Sequence, residues 1–155
     1  MKIRVIWIGK EKQPELTRLI DHYIGRIKHY IRIDIDIIKE DKNSKKNPKA
    51  RSEYECQLIL KRLNPGNQVV VLDEKGKNHS SKEFSGFIEK HQQIGTKELV
   101  FIIGGPFGID DKLKKMSNYM LSLSKMTLTH DMARLVLLEQ IYRALTIIRG
   151  EKYHH

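Results

Sequence analysis

Cysteine is almost missing. Cys56 stands alone, so neither an intrachain disulfide nor a cysteine-based metal site can form. Long apolar runs are missing too, and none approaches the roughly 18 residues of a membrane span. The opening MKIRVIWIGK starts basic and turns briefly apolar. Gly9 and Lys10 end that run short of a signal h-region, and no small-residue cleavage site follows, so a cytoplasmic protein is expected. Neither the dinucleotide fingerprint Gly-x-Gly-x-x-Gly nor a phosphate loop ending in Gly-Lys-Ser/Thr occurs. Acidic residues are the minority, 19 against 29 Lys and Arg, for a net charge of +10 and a pI near 9.7. A cationic surface concentrates polyanions, and nucleic acid is the first candidate. The alternative is a basic protein with no such partner.

What is present fits one globular body. At 155 residues, with 39% hydrophobic and 31% charged side chains, the chain has the length of one domain and enough volume for a real core. Lys2 to Ile8 is apolar on consecutive positions, the pattern of a strand buried on both faces, and Gly9 ends it. Leu16, Leu19, Ile20, Tyr23, Ile24, Ile27 and Tyr30 recur at helical spacing and predict a surface helix with one core stripe. His22 and His29 fall beside that stripe and read as solvated. Arg32 to Ile38 alternates charged and apolar residues, which predicts a strand near a sheet edge with one wet face.

Lys39 to Arg51 is polar and basic. It reads as a loop, either simply solvated or in contact with an RNA backbone. Arg51 to Leu63 predicts a helix with Tyr54, Ile59 and Leu63 inward, stopped by Asn64, Pro65 and Gly66. Gln68 to Leu72 and Leu99 to Ile103 are short, wholly apolar runs between turn signals, as in central parallel strands. The helix between them starts at Ser80 or Ser81 and buries Phe84, Phe87 and Ile88. Strands alternating with helices argue an α/β fold with a mainly parallel sheet.

Two turns stand at strand C-termini, the edge where open α/β folds bind ligands. One is Gly104-Gly105-Pro106-Phe107-Gly108, in which glycine admits either a close backbone approach to a ligand or a plain tight turn. The other lies in Leu121 to Arg134, between a strand at Tyr119 to Leu123 and a helix at Asp131 to Arg149 capped by Thr129 or Asp131. In that helix Ala133, Leu137, Leu138, Ile141, Ala144, Leu145 and Ile148 form one apolar arc, and Leu135, Val136, Tyr142 and Ile147 fall outside it. A helix apolar on more than one side is covered on more than one side, and a second copy of the chain is the predicted cover. Arg134, Glu139, Arg143 and Arg149 interrupt the apolar surface, as rim residues or as the lining of a site at the subunit boundary. His154 and His155 read as a frayed end or a tag remnant.

IGGPFG, LSLSKMTLTH, RLVLLEQIYRA and the terminal RGEKYHH, in that order, together with the initial strand ending in Gly-Lys and the segment VLDEKGK, resemble the RlmH family of SPOUT-superfamily methyltransferases. The resemblance spans nearly the whole chain. It implies a single SPOUT-type α/β domain over residues 1–155, with a C-terminal trefoil knot and a cofactor region at about 99–155. A knot is rare among folds. It also implies a homodimer, S-adenosylmethionine as cosubstrate with no metal, and methylation of N3 of a pseudouridine in 23S ribosomal RNA, with the assembled 70S particle as substrate. Carried over by residue, the cofactor contacts fall on Leu72, Gly104, Leu123, Ser124, Lys125, Met126, Thr127 and Leu128. Arg143, Tyr153 and His154 would bind and orient the base, with the tail closing over the site from its own or a partner subunit. One departure is Thr129, where the family commonly has proline.

Methyl transfer from a sulfonium is an in-line displacement, so the N3 proton must leave at or before attack, and a nearby cation or donor stabilises the anion. The sequence leaves the acceptor open, with His130 and water among the candidates. Two rival readings are a non-catalytic basic RNA-binding dimer and a small phosphate-, nucleotide- or flavin-binding α/β protein.

Overall fold

The computed structural model describes residues 1–11, 13–40 and 47–154. Its strands are β1 (Lys2–Ile8), β2 (Ile33–Ile38), β3 (Gln68–Asn78), β4 (Glu98–Ile103) and β5 (Tyr119–Ser122), and its helices α1 (Pro14–Lys28), α2 (Pro48–Leu60), α3 (Ser81–Gln93), α4 (Asp111–Met116) and α5 (His130–Ile148). A 3-10 turn at Lys152–His154 ends the described chain. All strand pairs are parallel and the sheet order is β2-β1-β4-β3-β5.

Right-handed crossovers fix which face each helix covers. The steps from β1 to β2 and from β3 to β4 run one way along the sheet, and those from β2 to β3 and from β4 to β5 run the other. Helices α1 and α3 therefore cover one face, α5 joins them there, and the three share a core with Ile3, Val5, Trp7, Leu99, Phe101 and Ile103. The opposite faces of the same strands, Ile6, Ile8, Val100 and Ile102, pack with Cys56 and Ile59 of α2 and Leu113 of α4. The consecutive apolar residues of β1 and β4 exist because both faces are covered, and every residue of β4 is buried. Strand β2 lies at the edge of the sheet; its alternation is only partly matched by burial, since Ile33 and Ile38 are buried on opposite faces and Ile37 is 40% exposed.

Local chemistry sets the helix ends. Ser80 caps α3 with a reciprocal Glu83 contact, a full capping box. Thr129 caps α5 by accepting from the Met132 backbone N–H. Asn47 caps α2 and Pro48 takes its first position, so the helix begins three residues earlier than its composition suggested and ends at Leu60. Of the expected basic loop, residues 41–46 lie outside the described residues. The inward side of α2 also differs from expectation. Tyr54 and Leu19 of α1 are exposed, whereas Arg51, Glu55 and Cys56 are buried beside Ile59.

Two further departures shape the upper edge of the sheet. Strand β3 does not stop at Leu72. It arches out through Asp73–Gly76 and returns to pair Lys77 and Asn78 with Leu121 and Ser122, and glycine at 76 allows the return because a Cβ there would lie 2.7 Å from the Leu121 carbonyl carbon. Tyr142, expected to await a second subunit, is covered by Tyr23 and Tyr30 of the same chain. Leu137, Leu138 and Ile141 are wholly buried beneath α5, each contributing about 1.5–3 kcal/mol of transfer free energy.

Candidate functional site

The C-terminal ends of β3, β4 and β5 diverge around a cleft of about 470 Å³, within the range of small-molecule sites. Leu72 comes from β3, Gly104 from the turn after β4, and Leu123, Ser124, Met126, Thr127 and Leu128 from the loop after β5. His130 and Ala133 close the cleft from α5. Seven of the eight positions singled out for the cofactor thus meet in one place. The eighth, Lys125, is exposed on the same loop but is not part of the lining.

Each wall has a physical reason for its shape. The loop after β5 is held by Asn78 Nδ2, which donates to the Ser122 carbonyl and Oγ, both at 3.0 Å. Ser122 Oγ donates to the Ser124 carbonyl, and Ser124 Oγ accepts from the Met126 N–H at 2.9 Å, a serine turn that leaves Met126 78% exposed at the mouth. In the turn after β4 the Gly108 N–H donates to the Gly105 carbonyl at 2.9 Å. Here glycine serves the protein's own packing: a Cβ on Gly104 would meet Ile109 Cγ1 at 2.6 Å, and one on Gly105 would meet Glu55 Oε2 at 2.5 Å. Burial pushes the Glu55 carboxyl up against the pull of Arg51, whose Nε donates to it at 3.1 Å and which also pairs with Glu40.

Arg134 is 2% exposed and lies inside its own chain, not at a rim or subunit boundary. One guanidinium nitrogen donates to the Ile8 carbonyl at 2.6 Å and another to Asp131 at 2.9 Å, over the Trp7 ring. It ties the first turn of α5 to the end of β1. Burial draws its pKa down despite the carboxylates of Asp131 and Glu11. Sequence reasoning also missed Asp73 and Lys114, which line the cleft 2.7 Å apart. Asp73 directly follows the apolar run Gln68 to Leu72, which was a usable signal; the six-residue α4 was too short to leave one.

Arg143 and Tyr153 come together at the other end of α5. Arg143 donates twice to Glu139 Oε1, at 2.9 and 2.6 Å, and once to the Tyr153 carbonyl at 3.4 Å. The Tyr153 ring packs edge-on against Tyr142 and beneath Arg143, and its hydroxyl lies 3.3 Å from that of Tyr23. Burial and the Tyr23 contact push the Tyr153 phenol up to about 12, so at neutral pH it is a donor and not a base. His154 closes the 3-10 turn. Ten residues separate Ala133 from Arg143, about 15 Å along the helix. Within one chain the tail cluster and the cleft lie apart.

A parallel α/β sheet with a cleft over three strand ends places this site where open α/β folds bind ligands. Residues 1–154 match the family model described as predicted SPOUT methyltransferase. The chain is 45% identical over 156 residues to ribosomal RNA large subunit methyltransferase H of Parabacteroides distasonis, covering 100% of this chain and 99% of that protein. It is 44% identical over 155 residues to the protein of the same name from Trichlorobacter lovleyi, covering 100% of both. The crystal structure of a probable methyltransferase from Bordetella pertussis Tohama I shares the fold, with a TM-score of 0.60, 12% identity and coverage of 93% and 94%. The chain belongs to the SPOUT methyltransferase family and is itself a methyltransferase.

Proposed function

We propose that the protein methylates N3 of a pseudouridine in 23S ribosomal RNA, acting in the cytoplasm on the assembled 70S ribosome with S-adenosylmethionine as donor. The observation that carries this reading is the convergence of Leu72, Gly104 and the 123–128 loop on one cleft, in a chain that matches large-subunit RNA methyltransferases over its full length. The residues fit the donor: Leu72, Ile103, Ile109, Leu123 and Leu128 offer apolar walls for a purine, and the loop backbone offers groups for its polar edge. A charge of +10 suits a polyanionic substrate.

The protein works as a homodimer, with residues from about 99 onward tied in a trefoil knot. Met132, Val136, Arg143 and Ile147 fall within about 60° on α5, and none belongs to the buried core, so one stripe is left for a partner. The same stripe carries Arg143 toward one end of α5 and Met132 near the other, so two α5 helices docked antiparallel bring one subunit's tail cluster to the other's cleft. That arrangement closes the distance separating the two groups within a chain.

The bound donor supplies an electrophilic methyl group on a sulfonium. Arg143 holds positive charge beside the developing N3 anion, with Glu139 fixing its guanidinium. Tyr153, protonated at neutral pH, stacks on the base or donates to it, and His154 orients it. The N3 proton passes to water or to His130, which lines the cleft. Calorimetric titration with S-adenosylmethionine and S-adenosylhomocysteine tests the reading. Binding of both at one site per cleft supports it; affinity for simple mononucleotides alone, or for RNA alone, would transfer the chain to one of the two rival classes.

A further inference from the structure

The charged part of the cleft contains a fixed ion pair. Asp73 follows Leu72 at the point where β3 leaves its ladder with β5, and Lys114 reaches it from α4. Both line the cleft, with only 11% of the Asp73 side chain and 26% of the Lys114 side chain exposed. Asp73 is held twice, by Lys114 Nζ at 2.7 Å and by the Lys75 backbone N–H at 2.9 Å. Neither group is saturated. An ammonium has three donors and a carboxylate about four acceptor sites, so each keeps capacity for a ligand after the mutual contact.

Glu74 and Lys75 also reach the lining from the arch, but both are exposed to solvent; the remainder is mostly apolar, from Leu72, Ile103, Ile109, Leu121, Leu123 and Leu128. A ligand that suits it has a hydrophobic body and one end bearing a charge of each sign. An α-amino acid attached to a nucleoside has that form, and a preset pair of opposite charges receives a zwitterion without leaving either charge unmatched. We infer that Asp73 and Lys114 bind the amino-acid end of the methyl donor, Asp73 accepting from its ammonium and Lys114 donating to its carboxylate. The inference rests on the reading of the cleft as the S-adenosylmethionine site.

The competing role for the pair is structural, tying α4 to the β3 arch. Two probes separate the roles: S-adenosylhomocysteine, which has the amino-acid end, and 5′-methylthioadenosine, which keeps the nucleoside and thioether but lacks it. Calorimetric titrations would use the wild-type full chain, Lys114→Gln and Asp73→Asn. The expected result is that each substitution weakens S-adenosylhomocysteine roughly tenfold to a hundredfold, the size of a charge-assisted hydrogen bond, and leaves methylthioadenosine within about twofold. Equal weakening of both probes, or of neither, overturns the inference, because a merely structural pair does not distinguish them. Wild-type protein that binds neither probe removes the cofactor reading itself, an outcome distinct from either of these.

Discussion

Replacing Gly104 by alanine tests whether the turn after β4 needs its close approach. The added methyl would lie 2.6 Å from Ile109 Cγ1, 2.9 Å from the Gly108 carbonyl oxygen and 3.0 Å from its carbon. Ile109 is only 8% exposed and cannot swing into solvent, and Gly108 is backbone, so the turn itself must move. Overpacking of this kind costs about 1–3 kcal/mol. Gly104, Gly108 and Ile109 all line the cleft, so the displacement reaches the cofactor walls. The same energy taken from binding is about 5-fold to 150-fold in affinity. Gly25→Ala is the control: it lies on an exposed turn of α1 with no atom within 4 Å of the new methyl, and should stabilise by about 0.5–1 kcal/mol. Urea denaturation and calorimetric titration with S-adenosylhomocysteine give both quantities. Gly104→Ala with wild-type stability and wild-type affinity would refute the reasoning, since it would mean the turn accepts a side chain without shifting.

Removing Tyr153, His154 and His155 should leave S-adenosylhomocysteine affinity unchanged and cut turnover at least a hundredfold; mixing this truncation with a Gly104→Ala chain should restore part of the activity if tails act across the dimer. Thr129→Ala should cost about 1 kcal/mol in urea denaturation through loss of the α5 cap, and no loss would mean that another group holds that helix end. The acid side of the stability profile should report on Asp73. Burial pushes its carboxyl up, but the Lys114 ammonium and the Lys75 N–H outweigh that and leave it below the ordinary range. A folded value below the unfolded one of about 3.9 stabilises fully above roughly pH 5 and loses that contribution as pH falls through the folded value. Asp73→Asn should therefore be less stable than wild type near neutrality and converge with it in acid. A difference that stays constant with pH would contradict the assignment.

The strands were the most legible part of the sequence, because burial on two faces makes the central stretches of β1 and β4 apolar at consecutive positions, while the edge position of β2 leaves charged residues between its isoleucines. The β3 arch was hidden since Asp73-Glu74-Lys75-Gly76 has the composition of a turn, and only the backbone contact of Gly76 with β5 reveals a returning strand. The burial of Arg51, Glu55 and Arg134 was not legible because sequence shows a charge but not its partner: Arg51 and Glu55 pair one turn apart on α2, with Glu40 joining Arg51, and Arg134, which reads as a rim or boundary residue, reaches the Ile8 carbonyl of β1. Tyr54 failed for a similar reason, with Glu55 and Cys56 turned inward in its place. The apolar breadth of α5 is visible in the sequence, but part of the second cover expected from another copy comes from the same chain, where Tyr23 and Tyr30 of α1 cover Tyr142. For the candidate site, motif resemblance located the loops, and the fold brings seven of those eight residues to one cleft. The separation of the 123–128 loop from Arg143 follows from the length of the predicted helix between them, but the folding of Tyr153 back onto Tyr142 and Arg143 leaves no pattern in the sequence.

Transfer of methyl label from S-adenosylmethionine to ribosomes purified from cells that lack this modification tests the central claim most directly, with the RNA digested to nucleosides and resolved by mass. Incorporation at a single 23S pseudouridine, recovered as the N3-methylated nucleoside and depending on the intact cleft, is the expected result. Label that never enters ribosomal RNA, despite a folded protein that binds the donor, would contradict it.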